Sequence, residues 1–438
     1  MNIALIGAGK MGLPLACVFA DRGGHVIACD ANPEVVNAIN SGKSPIDEPG
    51  IEDILRRAVQ AGRLSATGDT SAAVARSESV VVIVPVLLTP EKKADTRIIE
   101  SVTRQIAQGM KSGTMVSYET TLPIGGTRAL LPILESGGLR GGRDFDLVFS
   151  PERVKSQLVI QRLTKNPKIV GGLTPEAAAR AAAFYGEYLS APVINVGTLE
   201  TAEMVKLAGM VYRDVNIALA NELARYCEAA GIDFPAVVQA ANNDGEANLL
   251  QAGIGVGGHC TPVYPHFLFQ QSGKFGVRAE LAELGRALND GQPGKVLDRL
   301  EREWQPLRGK RALILGLGFR PQVKEDACSP AYTLAAELEK RGAQPELHDP
   351  LYTPEELMKR GFTPAAFAVK GAGWKTLTEV AAPMPELIIL HTAHAAYAAL
   401  DFKRLASLGL KAVLDGRNFW KPETVRAASL FYLAIGRP

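Results

Sequence analysis

The spacing of apolar residues changes twice along the chain. NIALIGAG (2–9) is a short β-rich run ending in glycines, and MGLPLACVFADRG (11–23) follows as a predicted helix closed by Gly23. HVIACD, VVVIVPV, TMVSYET and FDLVFSP are further apolar runs of strand length. Strands alternating with helices predict a parallel, doubly wound sheet. Near residue 200 the spacing becomes helical. AEMVKLAGMVYRDVNIALANELARYCEAAG (202–231) has no internal proline and predicts one long helix, with RAELAELGRALNDG a second further on. The long helix carries more apolar face than a small domain can cover, which makes it a candidate dimer seam. From about residue 309 the strand–helix alternation restarts in KRALILGLGF, SPAYTLAAELEKRGAQ, PELHDP, PELIILHT and LKAVLDGRN.

At 438 residues the chain exceeds one hydrophobic core, so several domains are expected. The pattern divides it into 1–195, 196–305 and 306–438. A hydrophobic fraction of 47% and a charged fraction of 21% are ordinary for a soluble protein. A net charge of +2 leaves no footprint for nucleic acid or an anionic membrane surface. No apolar run reaches the roughly 18 residues of a membrane helix. The cysteines, Cys17, Cys29, Cys227, Cys260 and Cys328, are scattered and lack metal-ligand spacing, so no metal site is expected and a reducing cytoplasm fits. Met1 runs directly into a strand, without the features of a signal peptide.

Gly7-Ala8-Gly9-Lys10-Met11-Gly12 joins a strand to a helix. In such a turn the first glycine permits the tight bend and the second lets the backbone approach a pyrophosphate. The third allows close helix–strand packing, with the phosphates at the helix N-terminus. Asp30 ends the second strand, where an acid would accept hydrogen bonds from a ribose 2′-hydroxyl and repel a 2′-phosphate. The cofactor expected is therefore NAD. The fold class is α/β: two Rossmann-like, doubly wound parallel-sheet domains joined by a central helical domain with a long helix. Gly316-Leu317-Gly318 looks like a second fingerprint, but Arg320-Pro321 interrupts where a helix should begin. This turn is not expected to hold NAD, although Arg320 and backbone amides could meet a different nucleotide.

The other informative stretch is Gly253-Ile254-Gly255-Val256-Gly257-Gly258-His259-Cys260. So many glycines are costly in chain entropy and are kept where backbone must pass something closely. A cysteine after such a loop, at a helix N-terminus, would be an activated thiol. The other four cysteines fall in predicted helices, strands or turns and read as structural. His259 reads as a proton shuttle or a structural residue.

These residues together resemble the UDP-glucose/GDP-mannose family of nucleotide-sugar 6-dehydrogenases, nearest the branch acting on UDP-N-acetylmannosamine and related sugars. The resemblance runs nearly end to end, through GAGKMGLPLA, SPIDEPGI, SYETTLP, SPERV, NPKIVGG, EMVKLAGMVYRDVNIALANELA, GVGGHCTPVYP, ALND, SPAYTLAAEL and DGRN. It implies oxidation of a C6 alcohol to a carboxylate with two NAD, through an aldehyde and a thioester on Cys260. It implies an oxyanion-stabilising role for Lys206, a proton or water role for Glu152, and a water-placing role for Thr121. On their own, Lys206 and Glu152 read as surface charges. Pro85 and Val86 fall in the cofactor-binding loop, and Glu152, Arg153 and Val154 of SPERV in the substrate region. Gly253, Gly255, Gly257 and Gly258 line the substrate, and Arg320 and Arg417 are the basic positions of the nucleotide-binding domain. A homodimer through the long helix is also implied.

The chain departs from the family at several of these places. Met210 replaces an asparagine and Tyr264 an aspartate; Glu246 replaces an arginine and Ala327 another arginine. Tyr264 could still hold a water. The departures keep two other readings open: a two-electron or otherwise diverted oxidoreductase on an unusual nucleotide sugar, and a catalytically silent protein that binds NAD and nucleotide sugar.

Overall fold

The computed structural model describes residues 1–365 and 384–438. They form two compact units, Met1–Gly209 with His266–Arg278, and Met210–Pro265 with Ala279–Pro438. In the first unit the strands are β1 (Asn2–Ile6), β2 (His25–Cys29), β3 (Leu64–Thr67), β4 (Ser79–Val82), β5 (Leu87–Leu88), β6 (Ala94–Asp95), β7 (Met115–Tyr118), β8 (Asp146–Phe149), β9 (Lys168–Gly172) and β10 (Val193–Thr198). Eight of them form one sheet in the order β10-β9-β8-β7-β4-β1-β2-β3, and β5 and β6 make a separate antiparallel ribbon. The sheet is parallel as expected, except that β8 and β9 pair antiparallel. That edge is tightly built: a Cβ on Gly171 would lie 2.0 Å from the Thr198 carbonyl, and one on Gly172 2.4 Å from the Ala178 amide. The helix Gly12–Asp21 is buried from Gly12 to Ala20, so its sequence is apolar all round rather than striped.

In the second unit β11 (Arg311–Leu315), β12 (Gln344–His348), β13 (Leu387–Leu390), β14 (Ala412–Asp415) and β15 (Phe431–Ala434) are all parallel, in the order β12-β11-β13-β14-β15. Alternate residues enter two different cores. Ala312, Ile314, Leu387, Ile389 and Leu414 pack on one face, while Leu313, Leu315, Ile388, Leu390 and Val413 pack on the other. Burial of both faces explains why these strands read as continuous apolar runs. The α/β class with two doubly wound sheets is therefore the fold observed.

The long predicted helix is Leu199–Ala230, 32 residues. Its face bearing Ala220 and Ala224 packs into the second unit's core. Along another line, Tyr212, Leu219 and Tyr226 stay 54%, 43% and 73% exposed.

Where β12 and β13 end, histidines are buried in a polar network. His394 Nε2 lies 3.2 Å from Asp349 Oδ2, His391 Nδ1 2.9 Å from the Gly316 carbonyl, and His348 Nδ1 3.0 Å from the Tyr397 hydroxyl. Burial pushes His391 down to about 3 and His348 down to about 4. Both rings stay neutral in the fold yet take up a proton in the unfolded chain below roughly pH 6.5. The unfolded state then binds more protons, so their contribution to stability falls as pH drops from about 6.5 toward the folded values. Denaturant midpoints measured at pH 7, 6 and 5 should therefore fall more steeply for the wild type than for a His391→Asn variant. Equal slopes would exclude this histidine as an acid-sensitive site.

Candidate active site

The strand β1 delivers the chain into the glycine turn, and each glycine there meets a different demand. Gly7 has φ +98°, and a Cβ on it would lie 2.6 Å from the Ile83 carbonyl. A Cβ on Gly12 would lie 1.9 Å from the Gly7 carbonyl, so the helix Gly12–Asp21 can start this close to the strand only without a side chain. Gly9 is different: nothing lies within 4 Å of its would-be Cβ. Its lack of a side chain keeps space open over the turn, which is what a bound pyrophosphate requires. Asp30 closes the turn from β2, accepting from the Ala8 amide at 3.0 Å through Oδ2 and from the Asn32 amide at 2.9 Å through Oδ1. Lys10 is exposed and Met11 half-buried at the start of the helix. The donor set and the open turn fit a dinucleotide.

Beside this turn the ends of β4 and β7 are tied together. Thr120 Oγ1 donates to the Val84 carbonyl at 2.7 Å, which places the loop holding exposed Pro85 and buried Val86 next to buried Thr121. Beneath Thr121 lies a group that pattern reading missed. Glu119 is fully enclosed, 2.6 Å from Lys168 Nζ, and accepts the Tyr185 hydroxyl at 2.8 Å. Burial raises the Glu119 pKa, and the Lys168 ammonium opposes the rise. A charged residue directly after an apolar strand, as in VSYET, was the available signal.

The Glu119 carbonyl accepts the Glu152 amide at 3.3 Å. The Glu152 carbonyl in turn accepts from Lys206 Nζ, and the Glu152 carboxylate caps the Val154 amide. Arg153 points elsewhere, donating to the Pro167 carbonyl at 2.7 Å. Lys206 is 5% exposed, so it is not the surface charge its isolated sequence suggests. A buried ammonium aimed at a backbone carbonyl is an electrostatic fixture, able to stabilise negative charge developing nearby. The first unit thus gathers the glycine turn, Asp30, Pro85, Val86, Thr121, Glu152 and Lys206.

The second unit holds the remaining candidates. A Cβ on Gly253 would meet Arg417 Nη1 at 2.7 Å, and one on Gly255 would meet Pro330 at 2.9 Å. At Gly257 the obstruction is Phe319 Cβ at 2.5 Å, and Gly258 has φ +110° against the same ring. What this loop passes so closely includes its own protein, the turn after β11 and the start of the helix Pro330–Lys340. Its anchors are side chains the sequence reading did not single out. Asn221 Oδ1 accepts the Gly253 amide at 2.9 Å, and Gln292 Nε2 donates to the Gly253 carbonyl at 3.2 Å. Cys260 ends the loop half-buried, and its carbonyl accepts the amides of Val263 and Tyr264 at 3.1 and 2.9 Å. It therefore heads the turn that leads into the helix Tyr264–Phe269, with Tyr264 one turn on.

The second glycine turn lacks the open space of the first: a Cβ on Gly318 would lie 3.0 Å from the Val323 carbonyl, where one on Gly9 meets nothing within 4 Å. Gly316 has φ +95°, much like Gly7. Asp349, ending β12 as Asp30 ends β2, accepts the Leu317 and Gly318 amides at 2.7 and 3.1 Å, and the next helix begins only at Pro330. The DP of PELHDP carried this signal. Arg320 is half-buried after this turn, and Arg417 Nε donates to the His391 carbonyl at 2.7 Å. Among the described residues no group of acids, cysteines and histidines could hold a metal ion. No helix among them is long and apolar enough to cross a membrane.

Comparison with known proteins matches three family models along the chain. They are the NAD-binding domain (residues 1–189), the central domain (200–291) and the UDP-binding domain (313–422) of the UDP-glucose/GDP-mannose dehydrogenase family. The NDP-N-acetyl-D-galactosaminuronic acid dehydrogenase of Ralstonia nicotianae is 32% identical over 97% of this chain and 98% of its own. The UDP-N-acetyl-D-mannosamine dehydrogenase of Yersinia pestis is 35% identical over 76% of this chain and 81% of its own. Among solved structures, the UDP-D-ManNAc dehydrogenase of Pyrococcus horikoshii superposes with a TM-score of 0.88 at 29% identity, covering 100% of this chain and 99% of that one. The open glycine turn, with these matches, defines an NAD-dependent nucleotide-sugar dehydrogenase. The chain belongs to the UDP-glucose/GDP-mannose dehydrogenase family.

The two glycines of the turn separate binding from folding. Gly9→Ala should leave the thermal midpoint nearly unchanged and raise the NAD dissociation constant by about tenfold or more, near 1.4 kcal/mol. Gly12→Ala should lower the midpoint itself. A Gly9→Ala protein with wild-type NAD affinity would remove the case for pyrophosphate over this turn. Burial raises the thiols of Cys17 and Cys29 to about 12. Peptide mapping after iodoacetamide treatment of the folded protein at pH 7.5 should find both unmodified.

Proposed function

We propose that the chain oxidises the C6 alcohol of a UDP-linked N-acetylhexosamine to a carboxylate in two steps, through a thioester on Cys260. In this reading residues 1–195 hold NAD, 196–305 carry the nucleophile loop and 306–438 hold the nucleotide sugar. Bound NAD accepts a hydride at each oxidation step. The supporting observation is Cys260 at the head of a helical turn, at the end of a glycine loop anchored by Asn221 and Gln292. A half-buried cysteine at the end of such a loop is the nucleophile of this reading.

The balance assigns each proton. The alcohol loses a hydride and a proton to become an aldehyde, with Glu152 the group placed to handle the proton. Cys260 Sγ adds to the aldehyde carbon, and Lys206 stabilises the oxyanion that forms. Loss of a second hydride leaves the thioester. Water held near Thr121 then cleaves it, returning the thiol and releasing a carboxylate. Val154, Gly255, Gly257 and Gly258 border the sugar, Arg153 turns instead to the Pro167 carbonyl, and Arg320 and Arg417 take the diphosphate. The relatives named for N-acetylated uronic acid and mannosamine substrates support the sugar class.

One observation favours a second reading. Met210 and Tyr264 lie one helical turn after Lys206 and Cys260, within reach of the same faces. A methionine there cannot donate to an oxyanion, and a tyrosine cannot act as a carboxylate base. With Glu246 and Ala327 these changes favour an enzyme that stops at the aldehyde, or one with an unusual sugar. Two NADH per UDP-sugar consumed supports the full oxidation, one supports the shorter reaction, and a Cys260→Ser protein that still yields two NADH at undiminished rate would end the thioester reading.

The exposed line Tyr212, Leu219 and Tyr226 supports a homodimer through the long helix. Leu219→Asp with Tyr226→Glu should shift the protein to a monomer in sedimentation, whereas an unchanged species would point to a different interface. The scattered cysteines of the sequence, without paired spacing, support a reducing compartment such as the cytoplasm.

A further inference from the structure

A cavity of about 440 Å³ opens in the second unit between the end of the long helix, the helix Gln292–Glu303 and the C-terminal ends of β14 and β15. None of the residues assigned above to NAD, sugar or diphosphate lines it. Its floor is apolar, formed by Val296, Leu414 and Leu433 among others. Its rim is charged, with Arg225, Lys295, Arg299 and Arg302 set against only two carboxylates, Glu228 and Glu303.

Both carboxylates are already engaged. Glu228 lies 2.6 Å from Arg299 Nη1 and accepts the Gly436 amide at 2.7 Å. Glu303 accepts Arg299 Nε at 2.7 Å. The remaining donors of Arg299 go to the carbonyls of Ala434 and Arg437 at 3.0 and 2.6 Å. Arg299 and its acids are therefore a closed structural set. The other three cations are poorly neutralised. Arg225 is 4.0 Å from Glu222, Arg302 is 3.6 Å from Glu303, and Lys295 has no ion pair among the described residues. Burial, followed by the charge of Arg225, lowers the Lys295 pKa, while Glu222 acts against the shift. Cations crowded over an apolar floor make a positive field that attracts anions into a space of ligand size.

We propose that this cavity binds a phosphorylated small molecule of nucleoside-monophosphate size. Lys295, Arg225 and Arg302 hold the phosphate, and the floor of Val296, Leu414 and Leu433 covers an apolar face. Guanidinium groups suit the phosphate because their planar forks match its oxygens in pairs. The floor excludes a bare inorganic ion as the best-fitting occupant, since that would leave the apolar surface uncovered.

The test is calorimetric titration of the full-length protein, saturated with NADH, using AMP and inorganic pyrophosphate as probes. AMP should bind, more tightly than pyrophosphate. Lys295→Glu with Arg302→Glu should weaken AMP by about tenfold or more, and Lys295→Met, which keeps the side-chain stem, should weaken it less. The KM for NAD should not change in any variant. No AMP binding, equal AMP affinity in the double variant, or pyrophosphate binding as tightly as AMP would each overturn the proposal.

Discussion

Backbone packed closer than any side chain permits is the constraint on which both halves of the molecule depend. At Gly12 the first turn of a helix sits against the carbonyl of Gly7, where a Cβ would be 1.9 Å away. At Gly257 the glycine loop sits against Phe319, where a Cβ would be 2.5 Å away. Neither contact gains much energy by itself. Each fixes the position of something else: the start of a helix whose amides face the cofactor turn, and the approach of the loop that ends in Cys260. Hydrogen bonds from Asn221 and Gln292 then hold the loop without adding bulk.

Much of this was legible in the chain itself. The glycine turn and Asp30 stood out because a dinucleotide site imposes a fixed spacing on residues adjacent in sequence. The long helix was legible because burial imposes a period, and the sheets because strands buried on both faces read as continuous apolar runs. The less visible parts depend on partners far apart in sequence. Glu119 meets Lys168 and Tyr185, and Glu152 meets Lys206, only after the strands have paired. The antiparallel β8–β9 pair was invisible for the same reason, since strand direction leaves no mark on apolar spacing. The glycines of the nucleophile loop were recognised as unusual, but spacing could not reveal Phe319, Pro330 and Arg417 as the surfaces they pass.

The departures from the family pattern become more specific in this setting. Met210 follows Lys206 by one turn of a continuous helix, so it replaces an amide without disturbing the backbone. Tyr264 donates its amide to the Cys260 carbonyl whatever its side chain, so the turn after Cys260 is built the same way with a tyrosine as with an aspartate. Both changes alter chemistry while leaving the scaffold intact. On the proposed roles of Cys260, Lys206 and Glu152, that is the pattern of a reaction redirected rather than abandoned.

Asp349 carries one more implication. The two units present similar glycine turns, at Gly7 and Gly316, yet the carboxylate of Asp349 occupies the amides that a pyrophosphate would need in the second. The chain then folds back over Gly318, where the first turn leaves open space over Gly9. One polypeptide therefore has a single seat for the dinucleotide despite its repeated architecture. A reaction drawing on more than one dinucleotide per turnover would then exchange spent for fresh cofactor at that seat, rather than hold two at once.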